Sequence, residues 1–284
     1  LRGREALSSL RDYSALVTAL LLAIALPPGS PWWLVAIGTA FAIVIAKHLY
    51  GGLGSNPFNP AMVGYVVLLI SFPLEMTRWM APAGATGAAT AGPLEALAAS
   101  LGMLDAARLD ALTMATPLDV LRQNQSLLIA ELRAQNPQFG RFGGTGWEWV
   151  NAGFLAGGIY LLARRIFTWH APLAMLAALA LMAALFHDGG SAASGGSPLF
   201  HLFTGATMFG AFFIVTDPVT SATSTRGKLV FGALIGVLVY LIRHWGNYPD
   251  AVAFAVLLMN FAAPLLDHYT QPRTYGHGDG GSAR

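Results

Sequence analysis

The chain has 284 residues, 55% of them hydrophobic and only 11% charged, against roughly 25% charged in an ordinary soluble domain, which predicts an all-α integral membrane protein. Its 16 Lys and Arg against 14 Asp and Glu leave a formal charge of +2, dispersed along the chain, so no nucleic-acid partner is implied. With no cysteine, the chain makes no disulfide, thiolate zinc site or iron–sulfur ligation of its own.

Arg2, Arg4 and Arg11 precede the first apolar run, with neither a starting Met nor a signal-peptide pattern. The sequence is expected to be cut from within a longer protein. Apolar runs follow at 14–26, 32–46 and 61–72, then at 147–163, 171–186, 200–215, 229–242 and 251–266. Several are shorter than the ~20 residues of an upright span. Short runs interrupted by Pro and Gly predict discontinuous helices whose broken ends face the protein interior.

The runs divide the chain into a first transmembrane repeat over 1–73 with three spans, an outer (periplasmic) segment over 74–146, a second repeat of five spans over 147–275, and a Gly-rich flexible tail over 276–284. An amino terminus in the cytoplasm puts Lys47, Arg164, Arg165, Arg226, Lys228 and Arg273 inside with the three leading arginines, and leaves Arg243 in a short outer loop. The 74–146 segment is long enough to escape the positive-inside rule and lies outside.

Punctuation recurs about 190 positions apart: Pro27-Pro28 with Asp217-Pro218, Pro60 with Pro249, and Pro73 with Pro264. The two copies start on opposite sides, so the expected fold is an inverted-repeat helix bundle with a site near the midplane. Three spans against five predict that two helices ahead of Leu1 are missing.

Within 74–146, Asp110, Thr113, Ala115 and Thr116 reproduce the spacing of a flavin-transfer motif: Asp, two variable residues, Ser or Thr, one variable residue, Ala, then the Thr that receives FMN as a phosphoester. The same residues also make an ordinary helix start, with Thr116 as N-cap, Pro117 in the first turn and Asp119 against the dipole. Both readings stand on the sequence. Phe203-Thr204-Gly205-Ala206-Thr207 offers a competing Thr-Gly-Ala-Thr signature, but position −6 from Thr207 is His201 and an apolar run follows directly. Thr116 is favoured; Thr204 and Thr207 are expected to permit close helix approach or to line a flavin pocket.

Tyr50-Gly-Gly-Leu-Gly-Ser-Asn-Pro-Phe-Asn-Pro-Ala61, the Trp147-Glu-Trp-Val-Asn151 core, Phe203-Thr-Gly-Ala-Thr-Met208 and Thr216-Asp-Pro-Val-Thr-Ser-Ala-Thr-Ser-Thr-Arg-Gly227 together resemble the D subunits of Rnf electron-transport complexes, over nearly the whole chain. The resemblance implies a bacterial inner-membrane redox subunit of an ion-translocating ferredoxin:NAD oxidoreductase, not catalytic alone. It further implies covalent FMN on Thr116, a noncovalent riboflavin in the membrane part and a urea-transporter-like architecture. The partners it implies include the A, B, C, E and G subunits of the complex and a flavin transferase. The B subunit of sodium-translocating NADH:quinone reductase is the nearest rival, and a channel or transporter of urea-transporter type, or an inert scaffold, are readings of other classes.

Gly51 and Gly52 lack the strand-then-helix setting of a dinucleotide fingerprint and suit a broken helix approached by a planar ring. Asn56 and Asn59 carry amides that suit an isoalloxazine edge or a coordinated Na+, or equally cap helices. Asp217 and Asp250 are ion-pathway candidates, with Na+ and H+ undecided. His187, His201 and His244 are expected at the interface, and no metal site is predicted.

Overall fold

The computed structural model describes residues 13–270 apart from 53, 84, 86–88, 125, 247, 249 and 250. Asp250 and the 276–284 tail therefore lie outside the described residues. Helices dominate, and among the described residues the only β pairings are isolated bridges at Met80–Thr113 and Phe139–Gly144.

Helix α1 (Ser14–Ala25) is followed by α2 (Trp32–Ala40), which widens into a π-helical stretch over Phe41–His48, and by α3 (Pro60–Ser71). The segment expected as an outer loop is instead a set of short helices: α4 (Pro73–Thr77), α5 (Pro93–Ser100), α6 (Ala106–Leu112), α7 (Pro117–Gln123) and α8 (Ile129–Gln135). Their starts are local. Pro73, Pro93 and Pro117 occupy first-turn positions, where the missing N–H costs nothing, and Asp105 accepts from Arg108 N–H at 2.8 Å.

After these come α9 (Trp147–Ala163), α10 (His170–Leu185), the short pieces α11 (Pro198–Leu202) and α12 (Thr207–Phe209), α13 (Thr225–Trp245) and α14 (Val252–Thr270). The apolar run at 200–215 is thus not one helix. It breaks at 203–206, where Gly205 has φ +63°, and resumes through α12 into a π turn over Gly210–Ile214.

Among the described residues two helices, α13 and α14, are long and apolar enough to cross a membrane, and four others are apolar but shorter. The lateral face of α14 carries Phe261 at 80% and Leu265 at 59% exposed. Backbone proximity holds the bundle: a methyl on Gly232 of α13 would stand 2.2 Å from the Ala171 carbonyl oxygen of α10, and one on Gly236 2.3 Å from that of Met175. Small residues are what let these helices meet so closely. In the first half, a methyl on Gly64 would stand 2.6 Å from the Gly38 carbonyl oxygen, so α2 and α3 use the same device.

Candidate cofactor site between the broken helices

Thr116 is seated by its neighbours on both sides. The extended stretch before it is pinned to 79–81: Ala81 N–H donates to Leu112 at 2.9 Å, and Met114 N–H to the Trp79 carbonyl at 3.0 Å. Thr116 then caps α7. Its Oγ1 accepts from Asp119 N–H at 3.2 Å and donates to Asp119 Oδ2 at 2.7 Å, while Arg122 bonds Asp119 Oδ1 at 3.3 Å. The ordinary helix-cap geometry and the motif therefore coexist in one residue.

A second clamp holds this corner against the break in the second half. Glu148 Oε1 accepts from the N–H groups of Phe142 and Gly143 at 2.9 and 2.8 Å, which folds the turn at 140–144 back over the start of α9. That turn fits tightly. A methyl at Gly144 would stand 2.5 Å from Pro117, and one at Gly143 2.8 Å from the Phe203 carbonyl oxygen and 3.2 Å from Thr204 Oγ1. Asn151, one turn further along α9, donates to Gly205 O at 3.0 Å and accepts from Met208 N–H at 3.1 Å, satisfying backbone groups that the interrupted helix leaves unpaired. Arg243 adds a donor to His201 O at 3.0 Å.

These contacts enclose a cavity of about 580 Å³ whose wall carries Thr116, Thr204, Tyr65, Trp79, Trp147 and Phe209. Among the described residues no charged side chain lines it. Thr204 is 1% exposed and its Oγ1 has no hydrogen-bond partner, an exception to the rule that buried hydroxyls are paired. Size, aromatic walls and an orphaned hydroxyl are what a planar heteroaromatic ring with a polar edge needs.

A second cavity, about 790 Å³, lies at the opposite ends of α1 and α9. The first takes its walls from 23–26 and from Trp147, Val150 and Phe154, whereas the second takes Ser14, Leu21, Leu161 and Arg165. The second sets amide and charged side chains, Asn56, Asn59, Asp217, Lys47 and Lys228, among largely apolar walls. Here Asn59 caps α3, its Oδ1 accepting from Met62 N–H at 3.2 Å, while its Nδ2 donates to Asp217 Oδ2 at 3.3 Å and its backbone N–H donates to Asn260 Oδ1 at 3.0 Å. Asp217 also accepts from Thr220 Oγ1 at 2.8 Å and Val219 N–H at 3.1 Å. Lys47 bonds Ser14 Oγ.

Residues 1–276 match the NQR2, RnfD, RnfE family. The chain belongs to that family. Among its relatives, the D subunit of the ion-translocating oxidoreductase complex from Ectopseudomonas mendocina strain ymp is 63% identical over 276 residues, 97% of this chain and 78% of the relative. The protein of the same name from Pseudomonas aeruginosa PAO1 is 63% identical over 277 residues, 98% of this chain and 78% of the relative. That of Vibrio cholerae O395 is 55% identical over 291 aligned positions, 98% of this chain and 82% of the relative.

The family's motif residues distribute unevenly about the cavities. Thr116 and Thr204 share the first, and Asn56, Asn59 and Asp217 share the second. Thr207 lines neither: it is 0% exposed, and its hydroxyl is committed to His201 O at 2.7 Å and Thr204 O at 3.1 Å. Asp110 and Ala115 are exposed, and Thr113 donates to Asp110 O at 3.2 Å. Asp119 is buried beside Thr116 without lining the cavity. Gly51 and Gly52 adopt φ +125° and +90° in the turn that follows the π stretch, conformations that favour glycine, and neither lines either of these two cavities.

His201 corrects an expectation. Placed at the interface by its position near a run end, it is 2% exposed, with Nε2 2.6 Å from Gly195 O, because the helix break carries it inward. Among the described residues no group of three or more His, Asp or Glu could hold a metal. Sequence reasoning passed over Asn260, Glu148 and Arg122. Asn260 had a signal, a lone amide in the apolar run of α14, where an amide needs a buried partner; Glu148 and Arg122 had none without the fold.

Proposed function

We propose that this chain is the D subunit of an ion-translocating oxidoreductase complex of the bacterial inner membrane, and that Thr116 carries FMN through a phosphoester with the isoalloxazine in the adjoining cavity. The shared wall carries the reading: the motif's threonine opens on an uncharged aromatic cavity that also holds the unpartnered Thr204 hydroxyl. When bound, the flavin supplies one- and two-electron transfer. Thr116 tethers it, Trp79, Trp147 and Phe209 bound the ring and exclude water, and Thr204 Oγ1 offers one hydrogen bond to its polar edge.

The second cavity suits the noncovalent riboflavin, since Asn56, Asn59 and neighbouring hydroxyls match a ribityl chain and the donor–acceptor edge of the ring. Asp217 and Asn59 then stand where transfer couples to Na+ or H+ movement. The other members of the complex dock on the helix bundle, and a flavin transferase reaches Thr116 from the periplasmic side.

Denaturing electrophoresis of the purified complex under ultraviolet light tests the attachment. A fluorescent band for this chain that disappears in Thr116→Ala and survives in Thr207→Ala is expected; a band that survives Thr116→Ala overturns it. The channel reading predicts instead solute flux and no bound flavin.

A further inference from the structure

We infer that Arg122 is the binding residue for the phosphodiester on Thr116, and that Asp119 holds the two in readiness before the flavin arrives. The inference rests on the attachment proposed above. A phosphodiester is anionic at every physiological pH, and among the described residues no charged side chain lines the cavity that receives the ring. The position is also already acidic. Asp119, 8% exposed, has its Oδ2 2.7 Å from the oxygen that would become the ester.

Transfer from a flavin dinucleotide donor forms the Oγ1–P bond, breaks the donor's P–O–P anhydride with a nucleoside monophosphate leaving, and passes the hydroxyl hydrogen to solvent, so Thr116 Oγ1 no longer donates. The bond to Asp119 is lost, and two anions are left side by side in a partly desolvated corner, where their repulsion is poorly screened. Stability then needs a cation with an unused donor. Arg122 supplies it: one terminal nitrogen, NH2, bonds Asp119 Oδ1 at 3.3 Å, and the other, NH1, is buried without a hydrogen-bond partner.

A buried guanidinium nitrogen with nothing to bind is costly. Guanidinium is also the side chain whose donor fork matches phosphate oxygens in pairs. In the unmodified chain Asp119 thus bridges the acceptor hydroxyl and the guanidinium, keeping Arg122 beside the point of attachment. Once the ester is made, Arg122 binds the phosphate oxygens and Asp119 remains its second partner.

The test uses the intact complex made with its flavin transferase, read in gels as the flavin fluorescence of this chain alone. Folded complex is treated with a phosphodiesterase, and the loss of the fluorescent band is timed. Arg122→Gln is expected to become labelled and then to lose flavin roughly tenfold faster than wild type, the worth of one charge-assisted hydrogen bond. Arg122→Lys, keeping the charge but losing the paired donors, is expected to fall between wild type and Arg122→Gln.

Asp119→Asn removes the competing anion, leaves the phosphate as the only anionic partner, and is expected to slow the loss. It serves as the deciding variant if Arg122→Gln does not fold. Loss from Arg122→Gln at the wild-type rate, Arg122→Lys failing as badly as Arg122→Gln, or Asp119→Asn releasing flavin faster than wild type each overturns the role of Arg122. A band persisting in Thr116→Ala is a different failure, that of the attachment itself.

Discussion

Asn59 at the start of α3 donates its side-chain amide to Asp217 at the end of the interrupted helix, 3.3 Å away and 158 residues on in sequence. This bond, with Asn260 receiving the Asn59 backbone N–H, ties the two halves of the chain together at the second cavity. Asp217→Ala strands the Asn59 amide, the Thr220 hydroxyl and the Val219 N–H together. A loss of about 1–3 kcal/mol is expected, measured as a fall in the unfolding midpoint in detergent. Asp217→Asn, which keeps an acceptor, is expected to lose less.

Thr207 and Thr116 separate in their effects. Thr207→Ala takes one donor from each of the His201 and Thr204 carbonyls, leaving Arg243 as the other, and is expected to cost about 1 kcal/mol of stability without removing the flavin proposed on Thr116. Thr116→Ser keeps the hydroxyl and is expected to keep the band, whereas Thr116→Val, similar in shape, is expected to lose it entirely. Mass analysis of the chain gives both answers.

Glu148 holds the 140–144 turn through two N–H groups. Glu148→Ala leaves the buried Gly143 N–H and the part-buried Phe142 N–H without this acceptor and is expected to destabilise by about 1–3 kcal/mol, with new protease cleavage inside 140–144. Glu148→Gln retains a carbonyl oxygen and is expected to protect the turn better. Equal cleavage in the two variants would remove the hydrogen-bond explanation.

The α10–α13 contact predicts intolerance of bulk. Gly236→Val places branched carbon where the Met175 carbonyl oxygen already stands 2.3 Å from a single methyl, so backbone must move. A loss of about 3 kcal/mol or more is expected, at the upper end of overpacking costs. Gly153, whose added methyl meets nothing within 4 Å, is the control: Gly153→Ala is expected to be neutral or slightly stabilising. Thermal unfolding of the purified complex distinguishes them.

Much of the candidate site was legible because its signals are local. Asn59-Pro60 and Thr116-Pro117 each announce a helix start, and each residue before the proline does cap a helix, with a side-chain oxygen accepting from the N–H three residues on. The spacing from Asp110 to Thr116 is equally a property of seven consecutive residues. Burial was another matter. His201 looks interfacial by position, and Glu148 drew no reading of its own, yet they are 2% and 8% exposed. His201 is packed against Tyr240 and Arg243 of α13, about 40 residues on, and Glu148 is covered by a turn whose backward fold no periodicity announces.

The sequence by itself determined what kind of chain this is: apolar helices cut by Pro and Gly, free of cysteine, with a threonine in a flavin-transfer spacing, all consequences of composition and of contacts within one or two helical turns. Only the tertiary structure decided which polar groups meet. It set Thr116 on the same wall as Thr204, joined Asn59 to Asp217 and Asn260, consumed the hydroxyl of Thr207, and left Arg122 with one nitrogen unused. In an interior with almost no water, a polar atom's role depends on whether another chain segment arrives with a partner, and that is fixed by packing rather than by neighbours in sequence.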